Sequence, residues 1–200
     1  EVIESDQKPG SSGGGIGDAT RPNPDRFAWL EAAAFHGGWQ FGEQGVIDEI
    51  FSVIGTATKY CVEFGAGDGK GLPLATRRLI DGGWKALLIE GDTQSCAHLR
   101  EQFPNSTVVN AMVGTKGDGK IDAILAANKS PKTPDFMVID VDSIDYYIWK
   151  SMIEYAPRVV MIEHCDLIYE GPEADAKTPM PMSTCGTAIP DSGGFIAQVS

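Results

Sequence analysis

Glu63-Phe64-Gly65-Ala66-Gly67-Asp68-Gly69-Lys70-Gly71 follows the apolar run Lys59-Tyr60-Cys61-Val62 and precedes a segment with helical periodicity. Glycines at alternate positions let a chain turn sharply from strand to helix and approach a ligand closely, beside the positive end of a helix dipole. A dinucleotide fingerprint needs the spacing GxGxxG. Counted from Gly65 the last position is Lys70, and counted from Gly67 it is Leu72, so the spacing disfavours NAD. The plainer reading of the same stretch is a tight strand-to-helix turn.

From Lys59 onward, short apolar runs alternate with amphipathic segments, the pattern of βα units in a mainly parallel sheet. Strands are expected over 59–64, 85–90, 107–110, 135–140 and 158–163. Each is short and nearly all apolar, as strands covered by helices on both faces must be. Helices are expected over about 70–82, 93–103, 119–127 and 145–155. The expected fold class is α/β: a Rossmann-like, doubly wound sheet with helices on both faces.

Upstream, residues 23–56 read as a helical lead-in. Asn23-Pro24-Asp25 supplies a cap followed by proline at a first helical position, and Phe27, Leu30 and Ala34 recur at helical spacing until Gly37-Gly38. A second helix is expected from Glu43, with Val46, Ile47, Ile50, Phe51 and Ile54 on one face. Residues 1–22, rich in Gly, Ser, Pro and charge, have little to bury and read as a flexible arm. The Rossmann-like domain is then 57–200. Near its end, Phe195, Ile196 and Val199 read as the start of an amphipathic helix cut short, which makes the C-terminal part incomplete. The rival reading pairs 185–189 with 195–199 as a hairpin.

The chain has 200 residues, 16 Lys and Arg against 28 Asp and Glu, and a net charge of −12. Such a field repels polyanions, so nucleic acid is a poor partner. No apolar run approaches the ~20 residues that span a bilayer, so no membrane partner is expected. Cys61, Cys96, Cys165 and Cys185 form neither a CxxC pair nor a disulfide framework, which makes a reducing, cytoplasmic setting the default.

An acidic residue closing the first strand, followed by GxGxG, resembles motif I of the class I S-adenosylmethionine-dependent methyltransferases. Glu90, in Leu87-Leu88-Ile89-Glu90-Gly91-Asp92, closes the second strand, where that family holds the two ribose hydroxyls of its cofactor. A carboxylate accepts two hydroxyl hydrogen bonds at once, and a cationic sulfonium is comfortable among acids. The resemblance covers about 43–165, and its layout is similar to the FkbM-type branch of O-methyltransferases. That branch carries an IDVEG-like motif after its fourth strand, and here Ile139-Asp140-Val141-Asp142-Ser143 stands at that place. The resemblance implies S-adenosyl-L-methionine as cofactor, held by Glu63, Gly65, Ala66, Gly67, Gly69, Glu90 and Gly91, with Asn110, Ala111 and Met112 flanking the adenine. It also implies a further helix and a two-stranded hairpin beyond strand five.

Asp140 and Asp142, two residues apart at a strand end, could accept a proton, bind a divalent cation, or cap the helix beginning near Asp145. His164, in Glu163-His164-Cys165 at the end of strand five, is a candidate general base or a structurally satisfied histidine. Cys165 points to the opposite face of the strand from His164, which argues against a thiol–imidazole pair. Mg²⁺ on Asp140, Asp142, Glu163 and His164 is a secondary possibility. Core filling is the plain reading for Ile148, Met152 and Tyr147, whereas Tyr146 or Trp149 could line an acceptor pocket.

Three function classes follow: methyl transfer to a small-molecule acceptor, at oxygen, with Asp140, Asp142 or His164 taking the proton; a metal-dependent nucleotide-sugar transferase; or a non-catalytic Rossmann-like module in a larger assembly.

Overall fold

Strand order explains where a ligand can sit. The computed structural model describes residues 28–33, 43–71, 74–142, 144–165 and 193–199. Its elements are α1 (Ala28–Ala33), α2 (Glu43–Ile54), β1 (Tyr60–Phe64), α3 (Arg77–Asp81), β2 (Lys85–Glu90), α4 (Thr93–Gln102), β3 (Thr107–Asn110), α5 (Ile121–Ala127), β4 (Phe136–Ile139), α6 (Asp145–Ser151), β5 (Val159–Cys165) and β6 (Gly193–Val199). One sheet carries the order β3-β2-β1-β4-β5-β6. Strands β1 to β5 are parallel and β6 runs antiparallel to β5. The chain winds outward from β1 to β3, then returns to place β4 on the other side of β1. Such a switch point opens a crevice at the carboxyl ends of the strands, here between β1 and β4.

Alternation along the strands divides the core in two. Cys61, Ala86, Leu88, Phe136, Val138, Val159 and Met161 face one way and pack with Ile47 and Ile50 of α2, Leu79 of α3, and Leu99 and Phe103 at α4. Val62, Phe64, Leu87, Ile89, Met137, Ile139, Val160 and Ile162 face the other way against Ile121, Ile124 and Leu125 of α5 and Ile148 of α6. Burial on both faces is why these strands read as unbroken apolar runs. Cys61 and Cys96 are buried free thiols.

Two expectations give way. The helix foreseen over 70–82 is present only as Arg77–Asp81. Pro73 lacks an N–H, and the amides of Ala75 and Thr76 donate to the Glu63 carboxylate, so the helix starts only after that clamp. The incipient helix at 195–199 is instead β6, with Phe195 opposite Glu163 and Val199 opposite Val159. The unpaired edge of β5 supplies a hydrogen-bonding ladder, and tertiary pairing outweighs a short local pattern. The partner segment 185–189, the cap at Asn23-Pro24-Asp25 and the arm 1–22 lie outside the described residues. Among the described residues no helix is long and apolar enough to cross a membrane.

Candidate functional site

The glycine loop leaves β1 through two close approaches. Gly65 and Ala66 both donate to the Ile89 carbonyl of β2, at 3.0 and 3.3 Å. Gly65 has φ +68°, and a Cβ there would collide with the carbonyl oxygen of Asp140, so only glycine lets β1 and β4 end this close together. Gly67 has φ +57°, and its missing Cβ would point into open space, which leaves the backbone bare.

Glu90 closes β2 beside this loop. Its Oε2 accepts from the Gly67 amide at 2.9 Å and its Oε1 from the Asp92 amide at 2.7 Å. Each carboxylate oxygen therefore keeps a lone pair while the group is held in one orientation. Asp92 caps α4 by accepting from Ser95 N at 2.7 Å. Asn110 ties the end of β3 to the same place, donating to the Glu90 and Gly91 carbonyls at 3.0 and 2.9 Å while its Oδ1 accepts from Thr93 Oγ1. Ala111 is half-buried, and Met112 is 77% exposed with its sulfur over Gly91, where a Cβ would strike it. The β2 and β3 ends thus form a wall built from Glu90, Gly91, Asn110 and Met112.

Glu63 has a different part. Its carboxylate is buried and accepts from Ala75 N at 2.9 Å, from Thr76 N at 3.0 Å and from the Thr76 hydroxyl. Burial pushes its pKa up against these donors. Glu63 thus holds the lead into α3 from beneath the loop. Thr76, its main partner, carried no signal in the sequence because the contact exists only once the chain has turned back.

Across the switch point stand the acids of β4 and β5. Carboxylate oxygens of Asp140, Asp142 and Glu163 all lie within 4.8 Å of one another, a spacing that suits oxygen ligands of a hard divalent cation. Asp140 and Glu163 share a side-chain hydrogen bond, and the Asp142 amide donates to Glu163. Burial first, then the charges of Glu163, Asp142 and Asp145, push the Asp140 carboxyl up to about 8, and Glu163 is raised by burial and by Asp142 and Asp145. Asp142 sits at φ +60°, a left-handed conformation uncommon for a residue with a side chain and one that concentrates at functional sites.

The N-cap position of α6 is Ile144, whose side chain makes no cap bond, and Asp145 reaches back to accept from Val141 N at 2.7 Å. Tyr146 is 53% exposed and meets Tyr147 edge-on at 5.6 Å, whereas Trp149 packs against the core formed around Ile148. His164 lies opposite Gly194 in the β5–β6 ladder, and its side chain is outside the described part of the structure.

No protein-family model and no curated protein matches the chain. Among solved structures it is similar to a TehB-like SAM-dependent methyltransferase from Corynebacterium glutamicum, with 15% identity, a TM-score of 0.41, and coverage of 70% of this chain and 69% of that one. It is also similar to the plantazolicin methyltransferase BamL, solved with a triazolic desmethylPZN analogue and SAH, at 11% identity, TM-score 0.37 and coverage of 56% and 40%. A third, the SAM-dependent methyltransferase from Thiobacillus denitrificans in complex with S-adenosyl-L-homocysteine, has 11% identity, TM-score 0.36 and coverage of 72% and 56%. The chain spans less than two thirds of the length of the last two.

Proposed function

We propose that the crevice between β1 and β4 binds S-adenosyl-L-methionine and that the protein transfers its methyl group to a small-molecule acceptor, at oxygen. The observation that carries this reading is Glu90. Two backbone amides fix its carboxylate beside the bared Gly67 backbone, and each of its oxygens can still accept one hydroxyl, the demand made by a ribose diol. Gly65, Ala66, Gly67, Gly69 and Gly91 shape the loop side, and Asn110, Ala111 and Met112 give the far wall. Glu63 supports the loop from below.

The cofactor would supply a methyl group activated on a sulfonium. The chain's own part is to orient the acceptor and take its proton. Burial and repulsion from neighbouring carboxylates raise both Asp140 and Glu163, because carboxylates this close do not all ionise readily. The ionised member of this pair, or Asp142 beside it, receives the acceptor's proton. His164 is retained as a second proton acceptor from its place at the end of β5. The motif Ile139-Asp140-Val141-Asp142 at the end of β4 favours the FkbM-type branch and hence an oxygen acceptor.

A second reading of the acids is favoured by the 4.8 Å grouping itself: a Mg²⁺ ion on Asp140, Asp142 and Glu163 would orient an acceptor hydroxyl and lower its pKa. Turnover compared between added Mg²⁺ and excess chelator separates the two, since a metal-independent rate leaves proton transfer alone. The test of the main reading is calorimetric titration with S-adenosylhomocysteine. Binding is expected, and Gly67→Val should abolish it while circular dichroism stays near native, because the new side chain enters open space rather than the core and the strain of its left-handed backbone is confined to the loop. No heat and no thermal shift at millimolar ligand would sink the proposal.

A further inference from the structure

The glycine loop is held from two sides, and the second hold lies outside the residues assigned above. Glu90 grips Gly67 from β2. On the other side the loop lies directly on the C-terminal half of α4, where a Cβ on Gly69 would press on Leu99 Cδ2 at 3.2 Å, Gln102 Nε2 at 3.2 Å and Phe103 Cε2 at 3.3 Å. Gly69 has φ +68°, so it lacks a side chain both for its conformation and for this approach.

Gln102, the last residue of α4, donates its side-chain amide to the Asp68 carbonyl at 2.9 Å across 34 residues of chain. Asp68 is the residue between Gly67 and Gly69, both left-handed. Its Oδ1 accepts from Lys70 N at 2.8 Å and Gly71 N at 3.0 Å, so the side chain closes the loop on itself while the carbonyl is tied to the helix. The Arg77 guanidinium lies 4.9 Å from the Phe103 ring centroid, which ties the entry to α3 to the same surface.

We propose that Gln102 is a positioning residue for the glycine loop: its amide fixes the Asp68 carbonyl and thereby the Gly67–Gly69 backbone, so that α4 sets how well the loop is organised to receive its ligand. The physical basis is preorganisation. A loop with three left-handed glycines has many alternatives in solution, and restricting them before binding removes an ordering cost that otherwise appears as weaker affinity. The consequence for affinity rests on the cofactor reading above; the consequence for loop order does not.

The test compares the full chain with Gln102→Met, which keeps length but loses the donor, and Gln102→Lys, which keeps a donor. Hydrogen exchange of the amides over 67–71 is measured without ligand, alongside melting temperature and S-adenosylhomocysteine affinity. The expected result is loop exchange faster by about three- to tenfold in Gln102→Met, the worth of one hydrogen bond, an affinity weaker by a similar factor, and a melting temperature lowered by no more than roughly 2–5 °C with exchange along α4 unchanged. Gln102→Lys should stay within about twofold of the parent in both, a small fraction of one hydrogen bond. Unchanged loop exchange in Gln102→Met overturns the proposal. So does a fall in melting temperature with exchange rising equally along α4, which marks a merely structural role. Parent protein that fails to bind the ligand defeats the cofactor reading, and the exchange result then still decides whether Gln102 orders the loop.

Discussion

Strand β4 has an aspartate just before it and another just after it, and the two live under opposite rules. Asp135, at the foot of the sheet, is fully buried and fully answered: Arg158 Nη1 lies at 2.7 Å, and the amides of Ala57, Thr58 and Lys59 all donate to it. Arg158 also donates to the Ile54 and Gly55 carbonyls, fastening the end of α2 to the sheet. Burial alone would raise the Asp135 pKa, but Arg158 and the three amides hold it below the usual carboxylate range. Among the described residues, Asp140, at the head, faces Glu163, Asp142 and Asp145 instead of a cation, and its carboxyl is raised. A protein keeps an acid without a counter-charge at the cost of stability, and such acids gather where chemistry or binding is done. The foot of the sheet is built for folding, and the head, on the function proposed above, for a ligand.

The comparison breaks most visibly at the foot. Asp135→Ala removes the buried acceptor shared by the partly buried Arg158 guanidinium and three backbone amides, and removing one partner of such a pair costs up to about 3–5 kcal/mol. Chemical denaturation should show that loss, and a change under 1 kcal/mol would mean that Asp135 is not the fastening point. Second in size is Gly65→Ala, where a side chain meets the Asp140 carbonyl from a left-handed backbone. Relieving that clash moves the ends of β1 and β4 apart, with an expected cost of about 1–3 kcal/mol. It should lower the melting temperature and ligand affinity together.

Glu90 sharpens the contrast, because it belongs wholly to the head. Glu90→Ala should weaken S-adenosylhomocysteine binding by about 1–3 kcal/mol, the cost of leaving hydroxyls without a charged acceptor. Stability should change less than affinity, since Gly67 N and Asp92 N lie near the surface and can turn to water. Equal affinity in the variant would remove Glu90 from the site.

How far the sequence could be read follows the same division. The five parallel strands were legible because burial on both faces writes itself as short apolar runs, and Glu90 was legible because an acid ended one of them. Strand β6 was not, since Phe195, Ile196 and Val199 fit two periods and the deciding partner lies 30 or more residues away. The shortened α3 was foreshadowed by Pro73, but the Glu63 clamp that sets its start is a tertiary contact. Asp142 carries a left-handed backbone that no spacing announces, although aspartate tolerates that conformation better than most residues. Gln102 stands in the sequence as an ordinary helical glutamine, and its meaning depends on which loop folds onto it. Local pattern encodes the layers; contacts between distant segments encode the site.

The smallest effect is the most direct test of the opposed rules, because the two aspartates should answer pH with opposite sign. Asp135 is depressed in the folded state, so the stability it contributes is present above the ordinary carboxylate pKa of about 4 and is lost as pH falls. Asp140 is raised to about 8, so between about 4 and 8 the folded state binds more protons there than the unfolded chain does, and stability falls as pH rises. Asp140→Asn replaces a group that must ionise without a counter-charge by one that never does. The variant should match the parent near pH 5 and exceed it near pH 8 by about 0.5–2 kcal/mol, or roughly 2–6 °C in melting temperature for a chain of this size. A melting temperature lowered equally at both pH values would show that Asp140 is a structural acid like Asp135. Added Mg²⁺ separates the two readings of the cluster in the same measurement. A metal held by Asp140, Asp142 and Glu163 should raise the parent's melting temperature most at pH 8, where the acids are ionised, and should do little for Asp140→Asn. Proton transfer without metal predicts no Mg²⁺ response in either protein, while the gain at pH 8 remains.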